Sequence, residues 1–249
     1  MNCMLTKATT QFSTACRQCP RLAGFLDEVR QAEPDYFAKP VPSFGAAGSR
    51  LLIVGLAPGM HGANRTGRPF TGDYAGNLLY STLHKYGYAT SAEPLDATGW
   101  ANPKLSLRGC RITNAVRCLP PQNKPEPAEV KQCNGYLTEE LAALPQGAAL
   151  LALGTVAHGA VLRALGLKAK DFKFAHGARH ELLINAVRPE LVEGQVPKSV
   201  HGSTGSPRTD VISLALYDSY HCSRYNTQTK RLTEAMFHQV FEVIGGDLK

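Results

Sequence analysis

The sequence predicts an α/β protein with a mostly parallel sheet and helices on both of its faces. Short apolar runs, each long enough for a buried strand, alternate with segments whose apolar residues repeat every three or four positions. Glycine-rich and polar loops follow some of these runs, as at ligand sites beside the carboxyl ends of parallel strands. The 249 residues suffice for one sizeable core, so we expect a single domain over residues 1–249.

The first predicted strand, residues 51–56, is followed by a glycine-rich loop that runs to Asp73. Pro58-Gly59 predicts a turn at the start of this loop. The loop contains neither Gly-Lys-Ser/Thr nor Gly-x-Gly-x-x-Gly, which excludes the common phosphate-binding loops. The apolar spacing over residues 79–86 then predicts a helix. We therefore expect the loop to hold a ligand other than a nucleotide cofactor.

Strand and helix signals continue in order along the chain. An acid and a proline at Glu126-Pro127 predict the start of a helix, because both are favoured in a first turn. The remaining patterns predict strands at 111–116, 148–153, 180–184 and 211–217, and helices at 22–29, at 156–165 and from about Arg231 onwards.

Residues 185–209 do not follow this rhythm. They contain Pro189, Pro197 and Pro207 and show little periodicity. Loops of this length are uncommon inside a compact domain. We interpret the segment as a surface insertion between two strands, with a functional lid as the alternative.

The net charge is +7, from 27 Lys and Arg against 20 Asp and Glu. A basic surface suits a polyanion such as nucleic acid, although many ordinary enzymes have a similar balance. No run approaches the length of a membrane span, and the first residues lack the apolar core of a signal peptide. We expect a cytoplasmic protein with reduced thiols and no membrane partner.

Four of the seven cysteines form a pattern typical of a metal site. Cys16 and Cys19 are a Cys-x-x-Cys pair, and Cys118 and Cys133 lie in two later segments. Thiolates at separated places suit either tetrahedral zinc or a four-iron, four-sulfur cluster. The later cysteines are too widely spaced for a zinc ribbon, where both pairs are tight.

The remaining cysteines leave alternatives open. Cys110 lies in a predicted strand and Cys222 follows a histidine, so either could replace one of the later ligands. Cys3, near the start of the chain, is the least suitable ligand. Four unrelated buried cysteines are also an alternative, because cysteine is often a core residue.

A second polar segment, residues 218–231, follows the last predicted strand. His221 should therefore emerge at the carboxyl end of that strand. Short hydroxyl and amide side chains, cations and an aromatic ring are typical of a loop that grips a nucleic-acid backbone. Thr227 or Thr229 could also cap the final helix.

Four segments together resemble the uracil-DNA glycosylase superfamily, and most closely its iron–sulfur family 5 (type b) enzymes. They are Cys16-Arg-Gln-Cys-Pro-Arg-Leu22, Gly55-Leu-Ala-Pro-Gly-Met-His-Gly-Ala-Asn-Arg-Thr-Gly-Arg-Pro-Phe-Thr-Gly-Asp73, Asn114-Ala-Val-Arg-Cys-Leu-Pro-Pro-Gln-Asn-Lys-Pro125 and Ser219-Tyr-His-Cys-Ser-Arg-Tyr-Asn-Thr-Gln-Thr-Lys-Arg-Leu-Thr233. They lie in the family's order and extend over nearly the whole chain. The second segment is the most specific of the four.

The resemblance implies a three-layer α/β/α sandwich with a short central sheet. It also implies a repair enzyme that flips uracil out of DNA and hydrolyses its N-glycosidic bond, because that bond is unreachable inside the stack. Hypoxanthine and xanthine are implied as further substrates. We expect a monomer that acts on double- or single-stranded DNA containing deaminated bases. A non-catalytic iron–sulfur relative that binds DNA is the alternative, and a zinc-dependent nucleic-acid protein is a third possibility.

The resemblance also implies roles for individual residues. Phe70 would stack on the flipped base, and His221 would contact the base and stabilise the negative charge that develops on it. A structural [4Fe-4S] cluster would be held by Cys16, Cys19, Cys118 and Cys133. The base pocket would comprise Gly55, Ala57, Pro58, Gly59, Phe70, Asn114 and His221, and the DNA would be gripped by Ser223, Arg224, Tyr225, Asn226 and Arg231.

Ala57 departs from the pattern of many superfamily members, which carry Asp or Asn there to handle the attacking water. A methyl group cannot orient water, so other polar side chains must do this work. Asn114, at the end of a strand beside the pocket, is our first choice, and Asn64 is the second. Asp73 could act as a base, although an acid at a helix start is more often a cap.

Overall fold

The computed structural model describes residues 11–186 and 210–249. The strands are β1 (Leu51–Gly55), β2 (Cys110–Asn114), β3 (Ala149–Leu153), β4 (Arg179–Ala186) and β5 (Asp210–Ser219). They form one sheet in the order β2-β1-β3-β5-β4. All neighbouring pairs are parallel except β4 and β5. The predicted mostly parallel sheet is therefore confirmed.

The helices are α1 (Pro20–Ala32), α2 (Ala63–Thr66), α3 (Tyr74–Lys85), α4 (Pro127–Ala142), α5 (Thr155–Ala164), α6 (Arg224–Gln228) and α7 (Glu234–Asp247). The last helix, predicted to start near Arg231, begins three residues later at Glu234, and a separate short helix, α6, precedes it. The caps are Ser223 for α6 and Thr233 for α7. Thr227 lies inside α6, where its hydroxyl donates to a backbone carbonyl of the preceding turn.

The side chains of β1 alternate between two cores. Leu51 and Ile53 pack on the face covered by α3 and α7. Leu52 and Val54 pack on the opposite face, against α4 and α5. A strand buried on both faces reads as a continuous apolar run, which is how β1 appeared in the sequence. The molecule is thus a three-layer α/β/α sandwich, as the resemblance implied.

The prediction of an insertion over residues 185–209 falls only partly on described residues. Residues 185 and 186 still belong to β4, which pairs antiparallel with β5. Residues 187–209 lie outside the described residues. None of the helices in the described ranges has the length and hydrophobicity that a membrane crossing requires.

Candidate active site

A pocket of about 410 Å³ opens at the carboxyl edge of the sheet. The chain segments that follow β1, β2 and β5 meet there. In the strand order, β2 lies on one side of β1 and the later strands lie on its other side. Such a switch point is the usual ligand site of an open α/β sheet. The lining residues are Leu56, Ala57, Gly59, Ala63, Phe70, Asp73, Tyr74, Ala75, Asn114, Asn123, His221, Ser223 and Arg224.

Phe70 lies in one wall of the pocket with a left-handed backbone, at φ 54°. Its ring packs where a Cβ on Gly55 would stand, only 2.6 Å from the nearest ring carbon. A Cβ on Gly76 would collide with the carbonyl of Phe70. The absence of a side chain at Gly55 and Gly76 therefore allows the Phe70 ring to take this position. The strained backbone is the kind that persists where surrounding structure holds a functional group.

Asn114 ends β2 directly beside Gly55 in the register of the sheet. It is only 4% exposed, and its Oδ1 has no hydrogen-bond partner in the described part of the chain. Buried polar atoms are nearly always paired in folded proteins. The pocket thus presents an acceptor that a ligand can satisfy.

His221 faces Phe70 across the pocket, with ring centroids 5.8 Å apart and planes inclined by 27°. Burial lowers the pKa of His221 to about 4, so the ring is neutral near pH 7. A neutral imidazole can donate one hydrogen bond without carrying a charge. The backbone at His221 is stabilised by a hydrogen bond, in which Nδ2 of Asn226 donates to the carbonyl of His221 at 2.8 Å.

Asp73 is both a cap and a pocket residue. Its carboxylate accepts a hydrogen bond from the backbone N–H of Gly76 at 3.1 Å, at the start of α3, and it also lines the pocket. Burial raises the pKa of Asp73, while hydrogen bonds from the backbone of Gly76 and Ala75 act in the opposite direction. The predicted cap is therefore observed and the carboxylate also reaches the pocket, whereas its role as a base stays a prediction.

Three predicted site residues, Gly55, Pro58 and Asn64, do not line the pocket. Gly55 lies behind the wall, where it leaves room for the Phe70 ring. Pro58 is buried within the turn after β1. Asn64 is 0% exposed, and neither atom of its amide has a partner among the described residues. Its side chain contributes nothing to the pocket wall. A catalytic role for Asn64 therefore remains a prediction from the motif.

The predicted DNA-contact residues lie beside the mouth of the pocket but divide into two groups. Ser223 and Asn226 make hydrogen bonds within their own loop. Arg224 and Tyr225 are exposed, Tyr225 by 70%, and Arg231 packs over the ring of Tyr220 at 4.6 Å. The second group is available to a ligand outside the pocket.

Asn123 lines the pocket and was missed in the sequence. It follows Gln122, and both have left-handed backbones, at φ 55° for Gln122 and 56° for Asn123. Arg21 of α1 holds this loop through a 3.3 Å hydrogen bond to the carbonyl of Lys124. Asparagine tolerates the left-handed region better than most residues. The only signal in the sequence was therefore a turn-forming Pro-Pro-Gln-Asn run.

Cys16, Cys19, Cys118 and Cys133 line one cavity between α1 and α4. Cys110 and Cys222 are fully buried in the core between the sheet and the helices α3 and α7, so neither replaces a member of this group. Tyr136 donates to the Sγ of Cys16 at 3.3 Å. No three of the four sulfurs lie within 4.8 Å of one another in the described residues. Burial raises the pKa of the Cys118 thiol to about 12.

The model of the uracil DNA glycosylase superfamily matches residues 42–245. The chain belongs to this superfamily. It is 41% identical over 240 residues to the type-5 uracil-DNA glycosylase of Thermus thermophilus, which covers 94% of each chain. The type-5 enzyme of Mycobacterium leprae is 38% identical over 92% of this chain and 89% of its own. For that of Pyrobaculum aerophilum the identity is 34%, over 93% and 88%.

The superfamily match contains the whole sheet and every residue that lines the pocket. Cys16 and Cys19 precede the matched range. The match therefore supports the pocket directly, whereas the four-cysteine site depends on the arrangement of its own side chains.

Proposed function

We propose that this chain hydrolyses the N-glycosidic bond of uracil in DNA and leaves an abasic site. Membership of the superfamily and the names of the type-5 relatives support a DNA N-glycosylase. The observation that carries the proposal is the pocket, where an aromatic ring, an unpaired amide and a neutral imidazole meet. These groups suit stacking on a base, recognition of its edge and stabilisation of it as a leaving group.

The pocket suits a base that has left the duplex. Flipping costs unstacking energy, which contacts inside the pocket must offset. The ring of Phe70 supplies a stacking face, and Gly55 leaves the backbone open beside it. The amide of Asn114 can accept from the N3–H of uracil through its free Oδ1. An amide fits the lactam edge, which deaminated bases share.

His221 is suited to stabilise the departing base. As the glycosidic bond breaks, its electron pair moves to the base and makes it an anion. A preorganised N–H donor aimed at the developing charge lowers the barrier, as in an oxyanion hole. Because the pKa of His221 is about 4, the ring donates a hydrogen bond and keeps its proton.

Water must add to the sugar carbon that the base leaves. Ala57 offers no polar atom for this step, so the work falls to Asp73 and Asn114, which both line the pocket. The Asp73 carboxylate is anchored by the N–H of Gly76. We propose that it orients the water and offsets positive charge on the sugar, while Asn114 holds the base.

The surface around the pocket mouth is suited to hold the DNA backbone. Arg224 and Arg231 supply charge for phosphates. Tyr225, 70% exposed, can fill the space that the flipped base leaves in the stack, since aromatic rings stack on bases. Ser223 and Asn226 keep the loop in shape.

The four cysteines fit a [4Fe-4S] cluster with a structural role better than they fit zinc. A zinc ion with Zn–S bonds of about 2.3 Å would bring sulfurs to about 3.8 Å from one another. No three of the four sulfurs, all in described residues, lie even within 4.8 Å of one another. The bound group would join the segment before α1 to α4. The Tyr136 hydroxyl already donates to one sulfur.

The function is tested with a labelled duplex that contains a single uracil. Alkali-labile cleavage at the uracil, and none in the matched thymine duplex, is the expected result. Retention of the duplex without cleavage would instead identify a non-catalytic DNA-binding protein. We extend the proposal to hypoxanthine and xanthine, because Ala57 leaves the pocket less polar than an Asp or Asn would. Duplexes with those bases test the extension separately.

The cofactor is tested by iron and sulfide content and by broad visible absorbance of anaerobically purified protein. Cys133→Ser should lose both, whereas Cys222→Ser, a buried cysteine of the other core, should keep them. Stoichiometric zinc in colourless protein would contradict the assignment. We also propose that the protein is a cytoplasmic monomer of one domain. For the purified chain, limited proteolysis tests the single domain and sedimentation tests the monomer.

A further inference from the structure

A second cluster of polar side chains lies behind the pocket and plays no part in the chemistry above. It consists of His158 on α5, His180 on β4 and Asp218 near the end of β5. Asp218 is 0% exposed and His158 is 4% exposed. The ligand-type atoms of all three lie within 4.8 Å of one another. Such a cluster is either a metal site or a hydrogen-bonded network.

The contacts of His158 decide between these two possibilities. Its Nδ1 lies 2.7 Å from Oδ1 of Asp218, and its Nε2 lies 2.9 Å from the carbonyl oxygen of Phe172. Both partners only accept hydrogen bonds, so both ring nitrogens must carry protons. The Asp218 bond and charge outweigh burial, and the pKa of His158 is raised. The Nδ1 lone pair that a metal would need is therefore occupied by a proton.

Asp218 is held from several directions. Its second carboxylate oxygen lies 3.1 Å from Nε2 of His180. Its backbone N–H donates to Ala178 at 3.0 Å, and its carbonyl accepts from Gly177 at 2.8 Å. A buried carboxylate that is paired and fully hydrogen-bonded is costly to disturb. The end of β5 is thus fixed to both α5 and β4.

His221 follows Asp218 by three residues. The intervening backbone is also tied down, because the carbonyl of Ser219 accepts from Gly154 at 2.8 Å and the N–H of Tyr220 donates to His176 at 3.2 Å. The ring of His221 itself has no hydrogen bond to another described residue. Apart from its stacking on Phe70, the direction of the ring in the pocket therefore depends on the backbone that leads to it.

We propose that the His158–Asp218–His180 network positions His221 for the leaving base, so that these three are positioning residues of the glycosylase. The inference rests on the proposed function. An imidazole displaced by a fraction of an ångström loses alignment with charge that exists only in the transition state. The network should therefore affect the rate of base release more than the binding of DNA.

The test is a double-mutant cycle between Asp218→Asn and His221→Ala, measured by single-turnover uracil release. Asp218→Asn keeps the size of the side chain but removes its charge. Alone, it should slow release about 10- to 100-fold, while affinity for abasic-site DNA stays within about twofold. In the His221→Ala background it should have little further effect, because residues acting as one unit are not additive.

Loss of rate by the same factor in both backgrounds would overturn the proposal, since the network would then act independently of His221. A stoichiometric metal ion that is lost in Asp218→Asn would also overturn it. His238→Gln is the matched control, because His238 on α7 is a nearly buried histidine with charged partners, Lys85 on α3 and Glu234 on α7. It should release uracil at the wild-type rate.

Two further measurements keep the test independent of folding and of the proposed function. If Asp218→Asn does not fold, His180→Gln removes one contact from a less buried ring and enters the same cycle. The ¹⁵N resonances of the His221 imidazole report its surroundings without any substrate. They should shift in the network variants and stay unchanged in His238→Gln, even if the protein released no base. Unshifted resonances would contradict the positioning role.

Discussion

Two histidines at the carboxyl end of β5, the buried His158 and the partly buried His221, have opposite environments. Behind the sheet edge, His158 has an acceptor at each nitrogen, and its pKa is raised. In the pocket, His221 has no such partner among the described residues, and burial lowers its pKa to about 4. An unpaired buried polar group costs stability. The unpaired ring of His221 lies where a ligand can supply the missing partner.

The asparagines show the same contrast. Asn134, in the α4–α5 core, donates from Nδ2 to the carbonyl of Ala160 at 2.8 Å. Asn114, in the pocket, leaves its Oδ1 unpaired within the described structure. Both are nearly buried. In these two pairs of residues, the presence or absence of a hydrogen-bond partner distinguishes the core residue from the pocket residue.

The largest expected effect is at His221. His221→Ala should lower the rate of uracil release about 100- to 1000-fold, because one preorganised donor to a developing anion is lost. Binding to abasic-site DNA should stay largely unchanged, since no base is present to contact. His84→Ala, at an exposed histidine of α3, is the control. Equal losses of rate and binding in His221→Ala would remove the distinction drawn above.

Gly55→Ala should have the next largest effect. The added Cβ would stand 2.6 Å from the Phe70 ring and would also collide with the Asn114 amide. Overpacking of this kind typically costs about 1–3 kcal/mol, and here the strain falls on two pocket groups. We expect about a 10- to 100-fold slower release. Gly245→Ala in α7, where nothing lies within 4 Å, should leave the rate unchanged; a similar loss there would discount the pocket explanation.

Asn123→Gly should have a smaller effect on the same reaction. Glycine keeps the left-handed backbone and removes only the amide. We expect that amide to make one hydrogen bond to the bound nucleotide, so its loss should slow release about 3- to 10-fold. Gln122→Gly is the matched control, because its backbone has the same hand and its side chain does not line the pocket. Similar losses in both variants would indicate a loop effect instead of a contact.

Asn123 also shows what the sequence could not provide. The sheet with helices on both faces was predicted from the alternation of strand and helix patterns along the chain. Phe70, Asp73, Asn114 and His221 came from the short segments that carry the resemblance to the family. Asn123 reaches the pocket through a backbone conformation that no apolar pattern encodes.

The network around Asp218 was also missed, because its members are separated along the chain and meet only once β4 pairs with β5. The sequence also did not show how deeply a motif residue is buried. Asn64 belongs to the most specific motif, yet it lies fully buried away from the pocket wall. Motifs identify residue types, whereas side-chain pairing depends on the order of the strands.

The smallest effect is on stability, and it compares the two histidines directly. The pKa of His158 is raised above the unfolded value of about 6.5, so its stabilisation is present below pH 6.5 and is lost as the pH rises through the folded value. The pKa of His221 is lowered, so its contribution is present above about pH 6.5 and is lost as the pH falls towards 4. Each slope is at most about 1.4 kcal/mol per pH unit.

Urea unfolding of wild type, His158→Gln and His221→Gln over a pH series measures both slopes, because other titrating groups cancel in the differences. Removing His158 should destabilise the protein most at acid pH and progressively less towards alkaline pH. Removing His221 should have the opposite pH dependence. As the pH falls below about 6, the free energy of unfolding of His221→Gln should rise relative to that of wild type. If both differences had the same sign of slope, pairing would not be what distinguishes the two rings.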